Sequence, residues 1–257
     1  MRVRIKILDM FLISLLFIFV VSMPFERLVG DRIDLLYALR ISFYAIYTLY
    51  LIYFLSKYNL LKDLSRSTNW KNILILLPTL LVCFNNFIFI LFYQDYIYVP
   101  SFNRVFIYEL VLTIFTAVIE EIIFRYIIHN QLNIKNKLVK IIASAGIFAL
   151  FHIFNFLTSF DPSELLRIVY AFGLGIVLGF FIEYGKNTFI CMGYHFLFNF
   201  INTNLFQFIF VGVYQSMYVV YFLVAGSLTI ITGIYLILVY LLYFKKKDYD
   251  DYSYWYN

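Results

Sequence analysis

The stretch VIEEIIFRYII, residues 118–128, places two adjacent glutamates and an arginine inside an apolar run. The apolar run extends over residues 105–128, which is long enough for a helix to cross a bilayer. A charged side chain near the middle of a membrane costs on the order of 3 kcal/mol on insertion scales. Such groups usually face the interior of a helix bundle and mark function, so the stretch predicts a membrane helix with a polar inner face.

The composition of the whole chain is that of a membrane protein. Of its 257 residues, 63% are hydrophobic and 14% are charged, against about 45–50% and 25% in soluble domains. The formal net charge is +5, but the basic residues lie in short runs between apolar segments, so we expect no nucleic-acid partner. Cys83 and Cys191 both lie in apolar segments and provide neither a disulfide framework nor a zinc finger.

The apolar segments predict an all-α fold, a polytopic membrane bundle of about eight transmembrane helices. The first segment is short and the seventh contains three asparagines, so a count of seven stays open. The predicted spans are Met10–Phe25, Leu35–Phe54, Ile73–Tyr93, Val105–Ile128, Val139–Leu157, Leu165–Tyr184, Thr188–Phe206 and Tyr218–Tyr243.

The distribution of basic residues predicts the orientation of the chain. With both termini in the cytoplasm, 15 of the 20 lysines and arginines fall in cytoplasmic segments and four in outer loops, as the positive-inside rule expects. We therefore predict a multi-pass protein of the cell membrane, N-in and C-in. Its predicted parts are N-terminal helices (1–104), a core (105–205), and a last helix with a cytoplasmic tail (206–257).

Helical spacing separates the two adjacent glutamates. Glu121 and Arg125 are four residues apart, so they share a face and can form an ion pair. Glu120 is turned about 100° away from that face and has no partner in its own helix. We therefore predict a structural pair at Glu121 and Arg125, and an available carboxylate at Glu120.

Two other predicted spans carry polar groups at a similar depth. His152 lies on the fifth span, and His195 and Asn199 lie one helical turn apart on the seventh. A rise of about 1.5 Å per residue puts Glu120 and both histidines in the cytoplasmic half of the membrane. The four side chains could therefore meet in one cavity.

These groups suit hydrolysis of a peptide bond. A carboxylate in an apolar cavity can take a proton from water, while imidazole and amide groups can donate to the developing oxyanion. A metal ion bound by Glu120, His152 and His195 is the alternative, because two histidines and one glutamate match a hydrolytic zinc site. The HExxH helix of zinc proteases is absent, however.

A cysteine protease set is a weaker alternative. Cys191, His195 and Asn199 follow one another at four-residue intervals along a single helix face. Catalytic groups of such proteases converge from separate elements, whereas side chains stacked along one helix do not aim at one atom. We therefore expect Cys191 to be a packing residue.

Several remaining residues are predicted to be structural. Gly175 and Gly179 form a GxxxG face on which another helix can approach closely. Glu109 and Glu183 lie near the ends of spans, where a carboxylate can reach the interface, and His129 follows the fourth span and is also predicted to be interfacial.

The three polar stretches EEIIFR (120–125), FALFH (148–152) and HFLFN (195–199) resemble the motifs of the CPBP family. This family comprises the type II CAAX prenyl proteases and their bacteriocin-processing relatives, also called Abi. Its motifs are EExxxR, FxxxH and HxxxN/D, in that order, on successive core helices. The resemblance covers roughly residues 105–205 and implies an intramembrane protease.

The resemblance also implies a role for each motif residue. Glu120 would activate the water with the help of His152, and His195 and Asn199 would hold the oxyanion without a metal. Glu121 and Arg125 would be structural residues that hold the first motif in place. Tyr126 departs from the family pattern, in which a small residue often follows the arginine.

The Ile-, Phe-, Tyr-, Asn- and Lys-rich composition indicates an AT-rich bacterial genome. We therefore expect cleavage of a membrane-associated peptide or lipidated protein, in bacteriocin self-immunity or peptide maturation, rather than of prenylated CAAX proteins. A second hypothesis is a non-proteolytic membrane protein that regulates a sensor kinase or blocks a bacteriocin receptor. A transporter would show inverted repeats and broken helices, which the sequence lacks.

Overall fold

The computed structural model describes residues 9, 12–13, 16, 29–64, 68–85, 103–153, 163–205 and 215–246, with side chains for residues 168–202 and 226–246 of the last two ranges. Every element in these ranges is helical, which confirms the all-α class. In chain order the helices are α1 (Ile33–Lys57), α2 (Trp70–Phe84), α3 (104–131), α4 (Lys137–Phe151), α5 (163–185), α6 (188–205) and α7 (215–244).

Three helical segments of the described ranges are long and apolar enough to cross a membrane. They are Ile33–Lys57, Ile168–Gly185 and Gly226–Phe244, and they coincide with the second, sixth and eighth predicted spans. Helix α3 has sufficient length, about 40 Å, but its charged residues reduce its apolar character. The eight-span count and the N-in, C-in orientation stay predictions, and most of the first predicted span lies outside the described residues.

Asparagine side chains define where several helices begin. The Oδ1 atoms of Asn69, Asn103, Asn136 and Asn187 each accept a hydrogen bond from a backbone N–H three residues later, at 3.1–3.2 Å. A cap of this kind satisfies one of the four N–H groups that a helix start leaves unpaired. The caps before α3, α4 and α6 help to fix the start of each helix that carries a motif.

One compact unit comprises residues 1–68 and 102–196, and it contains α1, α3, α4, α5 and the first part of α6. Helices α4 and α5 approach closely at the predicted glycine face. A Cβ atom added at Gly175 would lie 3.0 Å from the Ala145 backbone, and one added at Gly179 would lie 2.8 Å from Ile141. This confirms the prediction that the GxxxG face packs against another helix.

The other compact unit comprises residues 69–101 and 197–257. Within it, the Tyr235 hydroxyl of α7 donates to the Ile75 carbonyl of α2, and the Lys71 ammonium lies 5.7 Å from the centre of the Tyr243 ring. The predicted parts of the chain, residues 1–104, 105–205 and 206–257, were defined by the motifs and do not correspond to these two units. This division stays a prediction.

Candidate active site

Helix α3 changes its winding between the two adjacent glutamates. The α-helix Arg104–Glu120 continues directly as a π-helical stretch, Glu121–Ile128. A π-helix forms i→i+5 hydrogen bonds, and such stretches are frequent at functional sites. The side chains after Glu120 are therefore rotated relative to those of an ideal α-helix.

Glu121 contacts two partners with its two carboxylate oxygens. Its Oε2 lies 3.3 Å from the Arg125 Nε, so the predicted ion pair is present. Its Oε1 lies 2.8 Å from Nδ1 of His195, which comes from α6. The side chains of Glu121 and Arg125 have 0% exposure and that of His195 has 3%, so Glu121 orients the imidazole in a buried setting.

Glu120 faces the other nitrogen of the same imidazole. Its Oε2 lies 3.7 Å from the His195 Nε2, and its side chain is 10% exposed. This distance exceeds that of a direct hydrogen bond and is one at which a water molecule can lie between two polar groups. His195 is therefore bonded to one acid and separated by a gap from the other.

The Arg125 guanidinium is enclosed without being fully hydrogen-bonded. Its Cζ lies 4.6 Å from the centre of the Phe148 ring, a favourable cation–π distance. None of its three nitrogens has a hydrogen-bond partner of good geometry in the structure described. The charge of Glu121 and the phenyl ring therefore hold Arg125 in place, and hydrogen bonds contribute little.

His152 immediately follows the last residue of α4. Its Nδ1 lies 3.1 Å from the Phe148 carbonyl oxygen, so Nδ1–H donates and Nε2 of the neutral ring is the acceptor. The Phe148 ring contacts His152 and His195 edge-on, with ring centres 5.0 and 5.9 Å away. One phenyl ring thus packs against both imidazoles and the guanidinium.

Asn199 is the last residue of the α-helix Thr188–Asn199, one turn after His195, and its side chain is half-buried. The boundary between the compact units falls between these two residues. Its role beside the oxyanion stays a prediction.

The alternative site, a metal ion held by Glu120, His152 and His195, stays a hypothesis. Among the described residues, no three His, Cys, Asp or Glu side chains are arranged to hold an ion. In the set Glu120, His152 and His195, the Nδ1 of the last histidine is bonded to Glu121 and its Nε2 faces Glu120 at 3.7 Å. Metal-ligating histidines commonly donate their other ring nitrogen to a carboxylate in this way, so the bond to Glu121 suits either role of the imidazole.

Two further residues pack as structural groups. The Cys191 thiol is fully buried and donates to the Leu178 carbonyl at 3.7 Å, as expected of a packing residue. Tyr126, which departs from the family pattern, donates its hydroxyl to the Leu60 carbonyl at 2.6 Å. Its side chain thereby ties α3 to the segment after α1.

A second buried cluster, His129–Ser144–Lys140–Glu183, joins α3, α4 and α5. Oε2 of Glu183 lies 2.8 Å from the His129 Nε2 and 2.9 Å from the Lys140 Nζ. The other His129 nitrogen lies 2.9 Å from the Ser144 Oγ. The prediction that His129 and Glu183 are separate interfacial groups missed this cluster. The four-residue spacing of Lys140 and Ser144 was the only signal of it.

The second cluster fits a structural clamp. Serine, histidine and glutamate are the residue types of a hydrolase triad, but Ser144 is completely buried and could not reach a substrate. Burial lowers the pKa of His129, and its two ring nitrogens contact Glu183 and Ser144, whose hydroxyl also donates to the Ile141 carbonyl at 3.2 Å. All three helices are thereby held together at one point.

Fold and site together define a membrane protein with a buried glutamate–imidazole centre. Residues 102–201 match the family described as Rce1-like, type II CAAX prenyl endopeptidase Rce1-like. The match contains all three motifs and confirms the resemblance to the CPBP family, while α1, α2 and α7 lie outside it. No curated protein and no solved structure matches the chain.

Proposed function

We propose that the chain is an intramembrane endopeptidase that hydrolyses a peptide bond of a membrane-associated peptide or protein. The position of His195 carries the proposal: its imidazole is bonded to Glu121 and faces Glu120 across a gap of 3.7 Å. The match of residues 102–201 to an endopeptidase family supports the same reaction class.

Glu120 is the proposed general base. Arg125 and His195 both lie closer to Glu121, so the Glu120 carboxylate keeps lone pairs that can accept a proton from water. The resulting hydroxide adds to the carbonyl carbon of the scissile peptide bond. Glu120 then returns the proton to the departing amide nitrogen, which breaks the C–N bond.

His195 is the proposed oxyanion donor. Its Nδ1–H donates to Glu121, and a protonated ring would present Nε2–H to the gap in which the tetrahedral oxyanion forms. With an imidazolium at His195, the two glutamates, Arg125 and His195 carry no net charge together. In this proposal the second acid of the motif is a positioning residue for the histidine.

Two further residues have assisting roles in the proposal. His152 holds its Nδ1–H on the Phe148 carbonyl, so its Nε2 can accept a proton and assist Glu120. The Asn199 amide, one turn after His195, is the second oxyanion donor. We further propose a multi-pass location in the cell membrane and a role in bacteriocin self-immunity or peptide maturation.

Cleavage can be tested without knowing the substrate. Membranes from cells that express the wild-type chain or Glu120→Gln are compared by quantitative identification of newly formed protein N-termini. Asp31→Asn, the same change of carboxylate to amide at an exposed residue, is the matched control. We expect a set of termini that requires Glu120. Identical sets with wild type and Glu120→Gln, at equal protein levels, would sink the proposal.

A synthetic probe separates two substrate classes. One peptide carries a farnesylated cysteine followed by three residues, and a matched peptide lacks the farnesyl group. We expect the purified chain in liposomes to cleave membrane-bound peptides without requiring the farnesyl group. A strict requirement for that group would overturn the substrate assignment, while leaving the peptidase assignment intact.

A further inference from the structure

Helices α1 and α3 share a row of polar contacts that begins at the N-terminal end of α3. The Arg104 Nη1 lies 2.8 Å from the Asp34 Oδ2, with side-chain exposures of 70% and 52%. The Tyr108 hydroxyl lies 3.5 Å from the other oxygen of the same aspartate. This end of the row is open to solvent.

The row continues about one helical turn further along α1 and α3. The Tyr37 hydroxyl donates to the Glu109 Oε1 at 2.5 Å, and its ring stacks on Tyr108 with centres 5.1 Å apart. The Thr113 hydroxyl, one turn further along α3, donates to the backbone oxygen of Glu109. Glu109 is therefore part of the row and not an isolated interfacial carboxylate.

The inner end of the row reaches the candidate active site. Tyr44 of α1 lies seven residues after Tyr37 on the same helix face, and both Tyr44 and Thr116 of α3 are half-buried. Thr116 lies four residues before Glu120, on the same helix face. Tyr44 comes from α1, outside the segment that matches the endopeptidase family.

The row spans most of a bilayer. From Arg104 to Glu120 the helix rises about 24 Å, and each turn adds a polar side chain from α1 or α3. Exposure falls along the row from the open ion pair, through half-buried Tyr37 and Tyr44, to Glu120 at 10%. A pair of membrane helices can associate through small residues and a few hydrogen bonds. The packing of α1 against α3 therefore does not by itself require a polar side chain at every turn.

The polar seam is this row of side chains between α1 and α3, comprising Asp34, Tyr37, Tyr44, Arg104, Tyr108, Glu109, Thr113 and Thr116. We propose that the polar seam is a hydrated path that delivers the water consumed at Glu120. The proposal rests on the peptidase function, because hydrolysis inside a membrane needs a supply of water that hydrocarbon does not provide. Polar residues inside membrane segments typically line such pathways. Helix α1, which lies outside the family match to residues 102–201, would thus add a water route to the matched segment.

Thiol labelling in membranes tests the seam. Thr116→Cys places a thiol in the seam, and Ile114→Cys places one two residues away on α3 at a position that is 45% exposed. Both are treated with a charged, membrane-impermeant thiol reagent in vesicles of both orientations. The wild-type chain gives the background, because Cys83 and Cys191 are fully buried.

We expect Thr116→Cys to react at least about tenfold faster than Ile114→Cys, since a thiol in hydrocarbon stays protonated and unreactive. Ile114→Cys reacting as fast or faster would mean that the seam is a dry helix contact, and would overturn the proposal. Labelling does not depend on the substrate. It therefore stays decisive even if Glu120→Gln retains cleavage and the proposed function fails.

Kinetic measurements test whether the seam supplies water to the hydrolysis reaction. In the double variant Thr113→Val and Thr116→Val, both hydroxyls are replaced by methyl groups of similar size. We expect kcat to fall at least about tenfold with little change in KM, and Thr113→Ser with Thr116→Ser to retain activity. An unchanged kcat in the valine variant would overturn the role of the seam in water delivery.

Discussion

Two buried clusters in the same compact unit combine glutamate, histidine and a basic side chain, but they differ in how completely these groups are paired. In the clamp cluster, one acid accepts from His129 and Lys140 at 2.8 and 2.9 Å, and Ser144 satisfies the second ring nitrogen. In the candidate active site, two acids flank His195, and Arg125, which pairs with only one of them, has no hydrogen-bond partner among the described residues.

The difference separates a structural role from a chemical one. In the clamp cluster, both ring nitrogens of His129 and the Lys140 ammonium have partners at 2.8–2.9 Å, which fits a role in holding helices together. The site retains a carboxylate with a gap beside it, at Glu120, and this is the feature that general base catalysis needs. We infer that incomplete pairing in the membrane interior, where it is costly, marks the reactive centre.

The largest effect is expected at the imidazole that joins the two acids. His195→Gln keeps an amide donor near Glu121 but removes the charged donor to the oxyanion, so kcat should fall about 10²–10³-fold. The measurement is peptidase turnover per folded molecule, with thermal unfolding in detergent as the control for stability. Turnover within about threefold of wild type would remove His195 from the mechanism.

Breaking the clamp should lower stability instead of turnover. Glu183→Gln leaves the Lys140 ammonium without its partner, and loss of one member of a buried ion pair costs about 3–5 kcal/mol. Thermal or denaturant unfolding in detergent measures the loss, and turnover per folded molecule should stay near that of wild type. Adding Lys140→Met should restore part of the stability. Failure to restore any would contradict the pairing as the cause.

A smaller loss is expected where α4 and α5 approach closely. Gly175→Ala inserts a methyl group 3.0 Å from the Ala145 backbone, and overpacking of this kind costs about 1–3 kcal/mol. Gly173→Ala is the matched control on the same helix, because nothing lies within 4 Å of its added Cβ. Equal unfolding temperatures for the two variants would show that the close approach does not matter for stability.

The smallest expected effect is a pH dependence of the stability that the clamp cluster contributes. Burial lowers the pKa of His129 in the folded chain, so the unfolded chain binds the proton first as the pH falls. The stabilising contribution is therefore present above about pH 6.5 and declines below it. Unfolding in detergent between pH 5 and 8 measures this slope, which should be shallower in His129→Asn. An identical slope in both proteins would exclude His129 as its source.

Part of this contrast was predictable from the sequence. Four-residue spacing gave the Glu121–Arg125 pair, and the GxxxG face gave the close approach at Gly175. Hydropathy predicted the all-α class and the three confirmed membrane-length helices. These features depend on one helix at a time, and helical periodicity determines which of its residues share a face.

The features that were not predicted depend on which helices are neighbours in the fold. Spacing within α3 cannot indicate that His129 meets Glu183 of α5, or that Glu121 also bonds His195 of α6. The π-helical stretch after Glu120 has no simple composition signal. The contact of Tyr37 with Glu109 was missed because α1 carries no motif and its tyrosines resemble the aromatic residues of a membrane interface.

The most direct test compares one glutamate from each cluster. Glu120→Gln and Glu183→Gln are purified, reconstituted in liposomes at equal amounts of folded protein, and assayed on the same membrane-bound peptide. We predict that Glu120→Gln lowers kcat at least about 10²-fold with little loss of stability, and that Glu183→Gln loses stability but keeps its turnover. Wild-type turnover by folded Glu120→Gln would contradict this prediction.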